Sequence, residues 1–335
     1  MKRRIFLYSA VALPLLGGTK PKARSIQTVL GAIPVSQLGM TLIHEHILVD
    51  FIGADKITPT AWDRKRVLES VMPYLEAIKQ KGVRSFVDCT PSFLGRDVEL
   101  LREISLKSGL NILTNTGYYG AADNKYLPKW AFTETDEQLA ARWIREFEEG
   151  IEGTNVRPGF IKIGVNSGNL SELHQKLVRA AAITHLATGL TICSHTGPAL
   201  PAFQEIELLG KMGVSPRAFV WVHAQNETDK NLYTTAARQG AWVSLDGIGW
   251  GDTEPYAAWI AQMKSDRQLN RLLISHDAGW YRPEADDPMA KFVGYTQLFD
   301  TLIPLLSKRG LTRHDIDQLL VKNPAKAFGI IIWRL

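Results

Sequence analysis

His44 and His46 stand one residue apart at the end of an apolar, strand-like run, and this spacing is the strongest chemical signal in the chain. Successive side chains of a β-strand point to opposite faces, so residues i and i+2 share a face. Two imidazoles on one face are suited to hold a metal ion, although such a pair alone could also be a hydrogen-bonded core pair. Glu45 points to the opposite face, which predicts packing or support rather than ligation.

The chain alternates short runs rich in β-branched residues with longer amphipathic stretches. The eight runs cover residues 42–49, 83–89, 111–118, 159–164, 190–195, 218–223, 241–245 and 271–276. Helical patterns lie between them, for example at residues 63–80, 97–108, 135–149, 171–188 and 229–239, and several begin at Asp, Thr or Ser. Eight strands that alternate with helices predict an α/β fold, a single (β/α)8 TIM barrel over residues 31–335.

The residues with unusual chemistry all fall where these runs end. The first run carries the histidine pair, and the fourth, fifth, sixth and eighth runs lead to Lys162, His195, His223 and Asp277. Because the carboxyl ends of all barrel strands meet at one mouth, we expect the six side chains to converge there. This convergence favours a metal site over separate structural roles. His276 is expected to face away from Asp277.

Lys162 lies in Phe160-Ile161-Lys162-Ile163, whose apolar residues predict a buried strand, and an unpaired ammonium there would be costly. A salt bridge at the barrel mouth is one solution. The other is covalent chemistry, in which the neutral amine adds carbon dioxide to form a carbamate, an anionic group whose two oxygens can bridge two metals. Asp277 is either a cap or turn residue, or a metal ligand that accepts a proton from the attacking water as general base.

Composition and charge restrict the class of protein. The 335 residues are 45% apolar and 22% charged, as in ordinary globular proteins, and the formal net charge is +5. Residues 1–24 hold six lysines and arginines and no acid, so the rest of the chain is close to neutral. Nothing in it forms a basic stripe or nucleic-acid motif, which argues against a nucleic-acid partner.

The basic start is followed by an apolar stretch at residues 5–16, which is typical of an export signal. We therefore assign residues 1–30 to an export signal and N-terminal segment, and expect a periplasmic protein. The sequence Arg3-Arg4-Ile5-Phe6-Leu7 resembles a twin-arginine signal, while a general secretory signal and an uncleaved anchor are the alternatives. Cys89 and Cys193 fall in the second and fifth runs, which are not neighbours, so they are predicted to be buried free thiols.

Several segments together resemble the phosphotriesterase family of the amidohydrolase superfamily, including its phosphotriesterase-like lactonase branch. They are Gly39-Met40-Thr41-Leu42-Ile43-His44-Glu45-His46, Asp88-Cys89-Thr90-Pro91, Gly95-Arg96-Asp97, Phe160-Ile161-Lys162-Ile163, His195-Thr196, His223, Ser275-His276-Asp277 and Asn323-Pro324-Ala325. The resemblance covers most of the chain after about residue 30 and implies an amidohydrolase-like barrel.

The resemblance also implies a site with two divalent metal ions, usually zinc. His44, His46 and Asp277 would hold the more buried ion, and His195 and His223 the more exposed one. Carboxylated Lys162 and a hydroxide would bridge both ions. That hydroxide would attack a small-molecule carboxylic ester, lactone or phosphotriester, with Asp277 as general base. Members of the family are often homodimers.

Three aromatic residues are candidates for substrate binding. Tyr119 resembles a tyrosine of the lactonase branch that contacts substrate, and it could equally be a core aromatic. Trp250 and Trp280, with Tyr281, are expected on loops after the seventh and eighth runs, where they would either line the pocket or only pack the loops. Gly247 stands where many lactonases carry an arginine.

Two other functions are compatible with the same residues. One is an amidase or peptidase of the same superfamily, because the same hydroxide attacks amides. The other is a non-catalytic, metal-containing binding protein, which would have no need of a base such as Asp277. The remaining histidines of the helical stretches, His174, His185 and His314, are expected to pack or to face solvent.

Overall fold

The computed structural model describes residues 24–58 and 61–335. The first two strands, β1 (Ser25–Thr28) and β2 (Gly31–Pro34), form an antiparallel hairpin. The remaining strands are β3 (Thr41–Leu48), β4 (Ser85–Asp88), β5 (Asn111–Leu113), β6 (Asn115–Thr116), β7 (Phe160–Gly164), β8 (Thr191–His195), β9 (Phe219–Val222), β10 (Trp242–Leu245), β11 (Leu272–Ile274) and β12 (Ala278–Tyr281). The export signal predicted at the start of the chain lies outside the described residues, apart from the residues that enter this hairpin.

The parallel strands form a ring with eight strand positions. Six strands pair in the order β11-β10-β9-β8-β7-β6, and four pair in the order β12-β3-β4-β5. Two of the eight positions are each formed by two consecutive strands, and these connect the two sheets. β5 and β6 are separated by Thr114 alone, and β11 continues into β12 after a short break. At that break the Asp277 amide donates to the His44 carbonyl at 2.9 Å. The predicted (β/α)8 barrel is therefore confirmed.

Helices follow the strands and cover the outside of the ring. They are α1 (Arg64–Gln80), α2 (Val98–Ser108), α3 (Trp130–Thr133), α4 (Asp136–Glu149), α5 (Glu172–Thr188), α6 (Ala199–Lys211), α7 (Asn231–Gln239), α8 (Glu254–Ser265), α9 (Ile303–Lys308), α10 (Arg313–Asp317) and α11 (Asn323–Phe328). Asp63, Thr135 and Ser171 accept backbone hydrogen bonds as N-caps of α1, α4 and α5, as their sequence positions predict. None of the helices in the described part of the chain has the length and apolarity that a membrane crossing requires.

The interior of the ring is packed with side chains rather than open. Residues from several strands fill it, and Ile26 of the hairpin and Phe328 of α11 close its amino end. Phe160 belongs to this interior cluster, whereas its neighbours Ile161 and Ile163 pack outward under the helices. This alternation along β7 carries Lys162 to the inner face, and because the amino end is filled, the open end is the carboxyl end.

One expectation about the residues after the eighth run is wrong. Trp280 and Tyr281 lie on β12 and not on a loop, because the chain re-forms a short strand beside β3 after Asp277. Tyr281 is buried in the outer core and therefore does not face the barrel mouth.

Candidate metal centre

The structure brings all six predicted ligand residues to one cavity at the carboxyl end of the barrel. The cavity has a volume of about 100 Å³, and its lining includes His44, His46, Lys162, His195, His223 and Asp277. They come from β3, β7 and β8, from the residue that directly follows β9, and from the segment between β11 and β12. His223 and Asp277 have φ angles of 61° and 55°, a conformation that non-glycine residues adopt rarely and mainly where a site demands it.

A buried carboxylate behind the cavity orients two of the histidines. Asp246, at the end of β10, accepts a hydrogen bond from Nδ1 of His44 at 3.0 Å and from Nδ1 of His223 at 2.7 Å. Ser244 and Gln225 donate to the same carboxylate at 2.6 and 3.1 Å. Because Nδ1 carries the proton in both rings, Nε2 is left with a free lone pair that points into the cavity.

A hydroxyl group orients the third histidine in the same way. The Thr90 hydroxyl donates to the Leu48 carbonyl at 3.0 Å and contacts Nδ1 of His46 at 2.8 Å. Since the hydroxyl hydrogen is used on the carbonyl, Thr90 accepts from His46, and Nε2 of His46 is the free nitrogen.

The three free nitrogens converge on one carboxylate. Nε2 of His46 lies 2.9 Å from Asp277 Oδ1, Nε2 of His44 lies 3.6 Å from the same atom, and Nε2 of His223 lies 3.9 Å from Asp277 Oδ2. Imidazole nitrogen and carboxylate oxygen are ligands that zinc and similar divalent ions accept. The donor set therefore fits a metal ion.

Lys162 lies at the floor of the cavity, and its side chain is almost fully buried. Its ammonium contacts Nε2 of His44 at 3.4 Å, and no carboxylate of the described residues lies within 4.0 Å. The salt bridge that would be the structural explanation of this lysine is thus not formed in the described part of the chain. A cation buried beside imidazoles is poorly placed, and conversion to an anion would correct this.

His195 stands beside His223, with ring centroids 4.3 Å apart, and its Nδ1 contacts the Tyr119 hydroxyl at 3.1 Å. Burial holds the pKa of His195 well below its ordinary value, and the neighbouring His223 acts in the same direction. Burial likewise lowers the pKa of His44 to about 4, with Lys162 adding to the effect. Both rings are neutral near pH 7, as ligands must be.

Two acidic residues keep their negative charge despite burial. Burial works against ionisation of Asp277, but the imidazoles of His44 and His46 outweigh it and lower the pKa of the carboxyl group. The pKa of Asp246 lies well below its ordinary value for the same kind of reason, with His223 the strongest opposing influence to burial. In turn, Asp246 outweighs the effect of burial on His223 and raises the pKa of that ring.

Glu45 holds the segment around Asp277. Its Oε1 accepts hydrogen bonds from the Ser275 hydroxyl at 2.7 Å and from the amide and Nδ1 of His276 at 3.1 and 2.6 Å. Its Oε2 accepts from the Ala278 amide at 2.9 Å. Glu45 therefore fixes both neighbours of Asp277, and its side chain and that of His276 face away from the cavity, as the strand alternation predicts.

The predicted substrate residues take different positions. Tyr119 and Trp280 line the cavity. Trp250 lies outside it, 47% exposed, and its indole nitrogen donates to the carbonyls of His276 and Asp277 at 2.9 and 3.0 Å. Trp250 packs on Trp280 with ring centroids 5.0 Å apart, so it both anchors its loop and forms the outer wall.

The other singled-out residues lie outside the candidate centre or only border it. His174 and His185 are buried in α5 and hydrogen-bond to backbone carbonyls, and His314 is exposed on α10. Cys89 and Cys193 are buried free thiols, as expected, and Cys89 also borders the cavity.

Asp246 is the residue of the centre that the sequence reasoning missed. It ends the seventh strand run, so the signal was the same strand-end position that singled out the other residues. His44, His223 and Asp246 also present atoms within 4.8 Å of one another that could hold an ion. Asp246 contacts the Nδ1 atoms, however, and is already bound by Ser244 and Gln225, so we assign it to positioning. The group His44, His46 and Asp277 satisfies the same distance criterion at the front of the rings.

Comparison with known proteins gives consistent matches over almost the whole chain. The family model described as "Phosphotriesterase family" matches residues 24–328. The "Phosphotriesterase homology protein" of Escherichia coli is 28% identical over 294 residues, which cover 87% of this chain and 98% of that protein. A "Phospho-furanose lactonase" of Mycoplasmopsis agalactiae is 25% identical and covers 90% of this chain and 91% of its own. Among solved structures, the organophosphorus hydrolase from Deinococcus radiodurans is 30% identical with a TM-score of 0.82, covering 92% of this chain and 98% of that one.

Proposed function

Because the chain belongs to the phosphotriesterase family, we propose that it is a metal-dependent hydrolase that cleaves carboxylic esters, lactones or phosphotriesters at the cavity described above. Relatives named as a lactonase and as an organophosphorus hydrolase support these substrate classes. The single observation that carries the proposal is the convergence of three Nε2 atoms on Asp277, with the opposite nitrogen of each ring occupied.

We assign two divalent ions, expected to be zinc, to this donor set. His44, His46 and Asp277 would hold one ion, and His195 and His223 the other. Lys162 would bridge them as a carbamate: the neutral amine forms an N–C bond to carbon dioxide and releases one proton. The absence of a nearby carboxylate in the described residues supports this, since the carbamate turns an uncompensated cation into an anion. When bound, the ions make hydroxide available near neutral pH and polarise the carbonyl or phosphoryl oxygen.

The protein's own groups then have separate tasks. Asp277 is ionised at neutral pH and partly accessible, with 20% of its side chain exposed, so it can accept the proton of the attacking water. Asp246 and Thr90 hold the imidazoles in the tautomer that frees Nε2. Trp280 and Tyr119 close the sides of the cavity and limit the entry of water.

We also propose export to the periplasm and a homodimer, both of which rest on the sequence reasoning. Replacing Arg3 and Arg4 by lysine separates the export routes. The change should block a twin-arginine route, whereas a general secretory signal should still be used. Light scattering on the purified protein measures the oligomeric state.

Two measurements on leader-free protein test the catalytic proposal. Elemental analysis should find about two metal equivalents per chain after reconstitution. The reconstituted protein should hydrolyse members of a panel of aryl esters, lactones and dialkyl aryl phosphates faster than matched amides. Metal without turnover of any panel member would support a binding protein instead, and faster turnover of the amides would support an amidase.

A further inference from the structure

Gly247 lies where the chain after β10 leaves no room for a side chain. A Cβ atom there would stand 2.6 Å from the Tyr256 hydroxyl and 2.8 Å from Nε2 of Gln225. Gln225 cannot simply move aside, because its amide both donates to the Asp246 carboxylate at 3.1 Å and accepts from the Asp246 backbone at 3.2 Å. The position expected to carry an arginine in many lactonases is therefore occupied by a tyrosine and a glutamine from other parts of the chain.

These residues form the wall of a second cavity, which we call the Gly247 cavity. It has a volume of about 400 Å³ and is lined by Gln225, Asn226, Gly247, Trp250 and Tyr256. It shares His195, His223, Asp277 and Trp280 with the inner cavity. The inner cavity, at about 100 Å³, is below the roughly 300–1,000 Å³ of typical small-molecule sites, whereas the Gly247 cavity falls within that range. The larger part of a substrate must therefore extend into the Gly247 cavity.

No lysine or arginine is among the described residues that line the Gly247 cavity. The nearby cations are engaged elsewhere. Lys230 donates to the carbonyls of Gln225 and Glu227 and lies 4.0 Å from the centre of the Trp259 ring. Arg282 pairs with Glu284 at 2.8 Å. Lys125, near the inner cavity, donates to the Phe51 carbonyl at 2.6 Å.

Apart from the three residues that it shares with the metal centre, His195, His223 and Asp277, the groups that face the Gly247 cavity are aromatic or neutral and polar. Trp250 is 47% exposed, and its ring lies beside that of Trp280. The Tyr256 hydroxyl and the exposed Asn226 side chain border the cavity, and neither forms a side-chain hydrogen bond within the part of the chain that the structure describes. Such a lining favours a flat or cyclic apolar group that carries a neutral hydrogen-bonding substituent.

We propose that the Gly247 cavity binds the uncharged aromatic or alicyclic part of an ester or lactone substrate, with Tyr256, Asn226 and Trp250 as specificity determinants, and that it discriminates against substrates with a carboxylate or phosphate there. An anion held beside Trp250, Tyr256 and Asn226, rather than by the ions proposed on His195 and His223, would lose water without gaining a lysine or arginine partner. The inference rests on the proposed function and adds the substrate class to it.

A pair of substrates that carry a neutral or an anionic group at the same ring position tests the inference. The metal-reconstituted enzyme is assayed at pH 8 with 4-carbamoylphenyl acetate and 4-carboxyphenyl acetate, with rates divided by those of uncatalysed alkaline hydrolysis. The neutral ester should have a kcat/KM roughly tenfold or more above that of the anionic one. Tyr256→Phe should raise KM for the carbamoyl ester by a larger factor than KM for unsubstituted phenyl acetate.

A cation introduced into the cavity should reverse the preference. Asn226→Lys should raise kcat/KM for the anionic ester several-fold, whereas Thr228→Lys, an exposed position of the same loop outside the cavity, should leave the ratio unchanged. An equal or better rate with the anionic ester in the unaltered enzyme, or no response to Asn226→Lys, would overturn the inference. Failure to hydrolyse any ester, including phenyl acetate, would instead overturn the proposed function.

Discussion

Replacing Asp246 by asparagine should weaken metal binding through the tautomer of one histidine. One carboxylate oxygen accepts three hydrogen bonds, from the amide and Nδ1 of His223 at 3.2 and 2.7 Å and from Gln225 at 3.1 Å. The other accepts from His44 at 3.0 Å and Ser244 at 2.6 Å, and it shares the His223 amide at the longer distance of 3.4 Å. The asparagine carbonyl should face the side that the His223 amide approaches more closely, because the Ser244 hydroxyl on the other side can also accept a hydrogen bond. Its amide group should therefore face His44.

An amide nitrogen beside His44 Nδ1 is a donor, and it turns that ring nitrogen into an acceptor. The ring proton then moves to Nε2, the atom 3.6 Å from Asp277, and removes the lone pair that a metal needs. Loss of an outer hydrogen-bond partner of a metal ligand typically costs about 10- to 100-fold in affinity. We expect the loss of metal affinity in Asp246→Asn to fall within this range, since one of the three oriented imidazoles then has the wrong tautomer.

Competition between the protein and a chelator measures the affinity, and far-ultraviolet circular dichroism checks that the barrel is folded. Ser244→Ala is the matched control, because it removes one donor to Asp246 without changing the tautomer of His44, and it should lower the affinity less than about threefold. Unchanged affinity in a folded Asp246→Asn protein would refute the tautomer argument. So would an equal loss in Ser244→Ala.

The remaining predictions concern four ionisable residues. Lys162→Ala should lose metal and activity, and a short carboxylate such as acetate should restore part of both in metal analysis and rate assays. Asp277→Asn should lower kcat far more than metal content, because it removes the proton acceptor. Glu45→Gln should lower kcat, and it should lower the free energy of unfolding by about 2 kcal/mol, because hydrogen bonds from Ser275, His276 and Ala278 to a buried carboxylate are weakened or lost. Burial raises the pKa of Glu205 to about 8, so between about pH 4.5 and 8 the folded protein binds one more proton than the unfolded chain. The free energy of unfolding should therefore fall as pH rises through this range. Glu205→Gln should make that fall smaller in urea titrations.

Each of these predictions has a contrary result. Retained metal in Lys162→Ala would place the lysine outside the centre, and equal loss of metal and turnover in Asp277→Asn would make that residue a ligand only. A Glu45→Gln protein with unchanged kcat would show that the segment around Asp277 holds its position without the carboxylate. Parallel pH curves for Glu205→Gln and the unaltered protein would mean that another group controls stability in this range.

The strand order and the six residues at the strand ends could be predicted because both follow from local patterns. Periodicity gives the elements, and the barrel then brings strand ends together whatever the distance along the chain. The caps at Asp63, Thr135 and Ser171 follow from residue type in the same way.

Contacts between distant parts of the chain could not be predicted in this way. The role of Asp246 depends on its contact with His44, 202 positions earlier. The space above Gly247 depends on where the Tyr256 ring of α8 and the Gln225 side chain meet. The return of the chain to strand at Trp280 depends on β3 offering an unpaired edge. Strand periodicity places side chains at the barrel mouth, but it does not specify which of them form hydrogen bonds or pack against one another.

The hydrogen bonds of Glu45 have a consequence for how the protein folds. Their partners on Ser275, His276 and Ala278 lie 230 to 233 positions later in the chain. Until β11 and β12 pack against β3, the Glu45 carboxylate has none of these donors, and Asp277 has no fixed conformation. The closing of the ring and the completion of the metal centre are therefore the same event, and it carries the full entropic cost of a long-range contact. A nascent chain released before residue 278 would contain every histidine of the centre, but the centre would not be assembled.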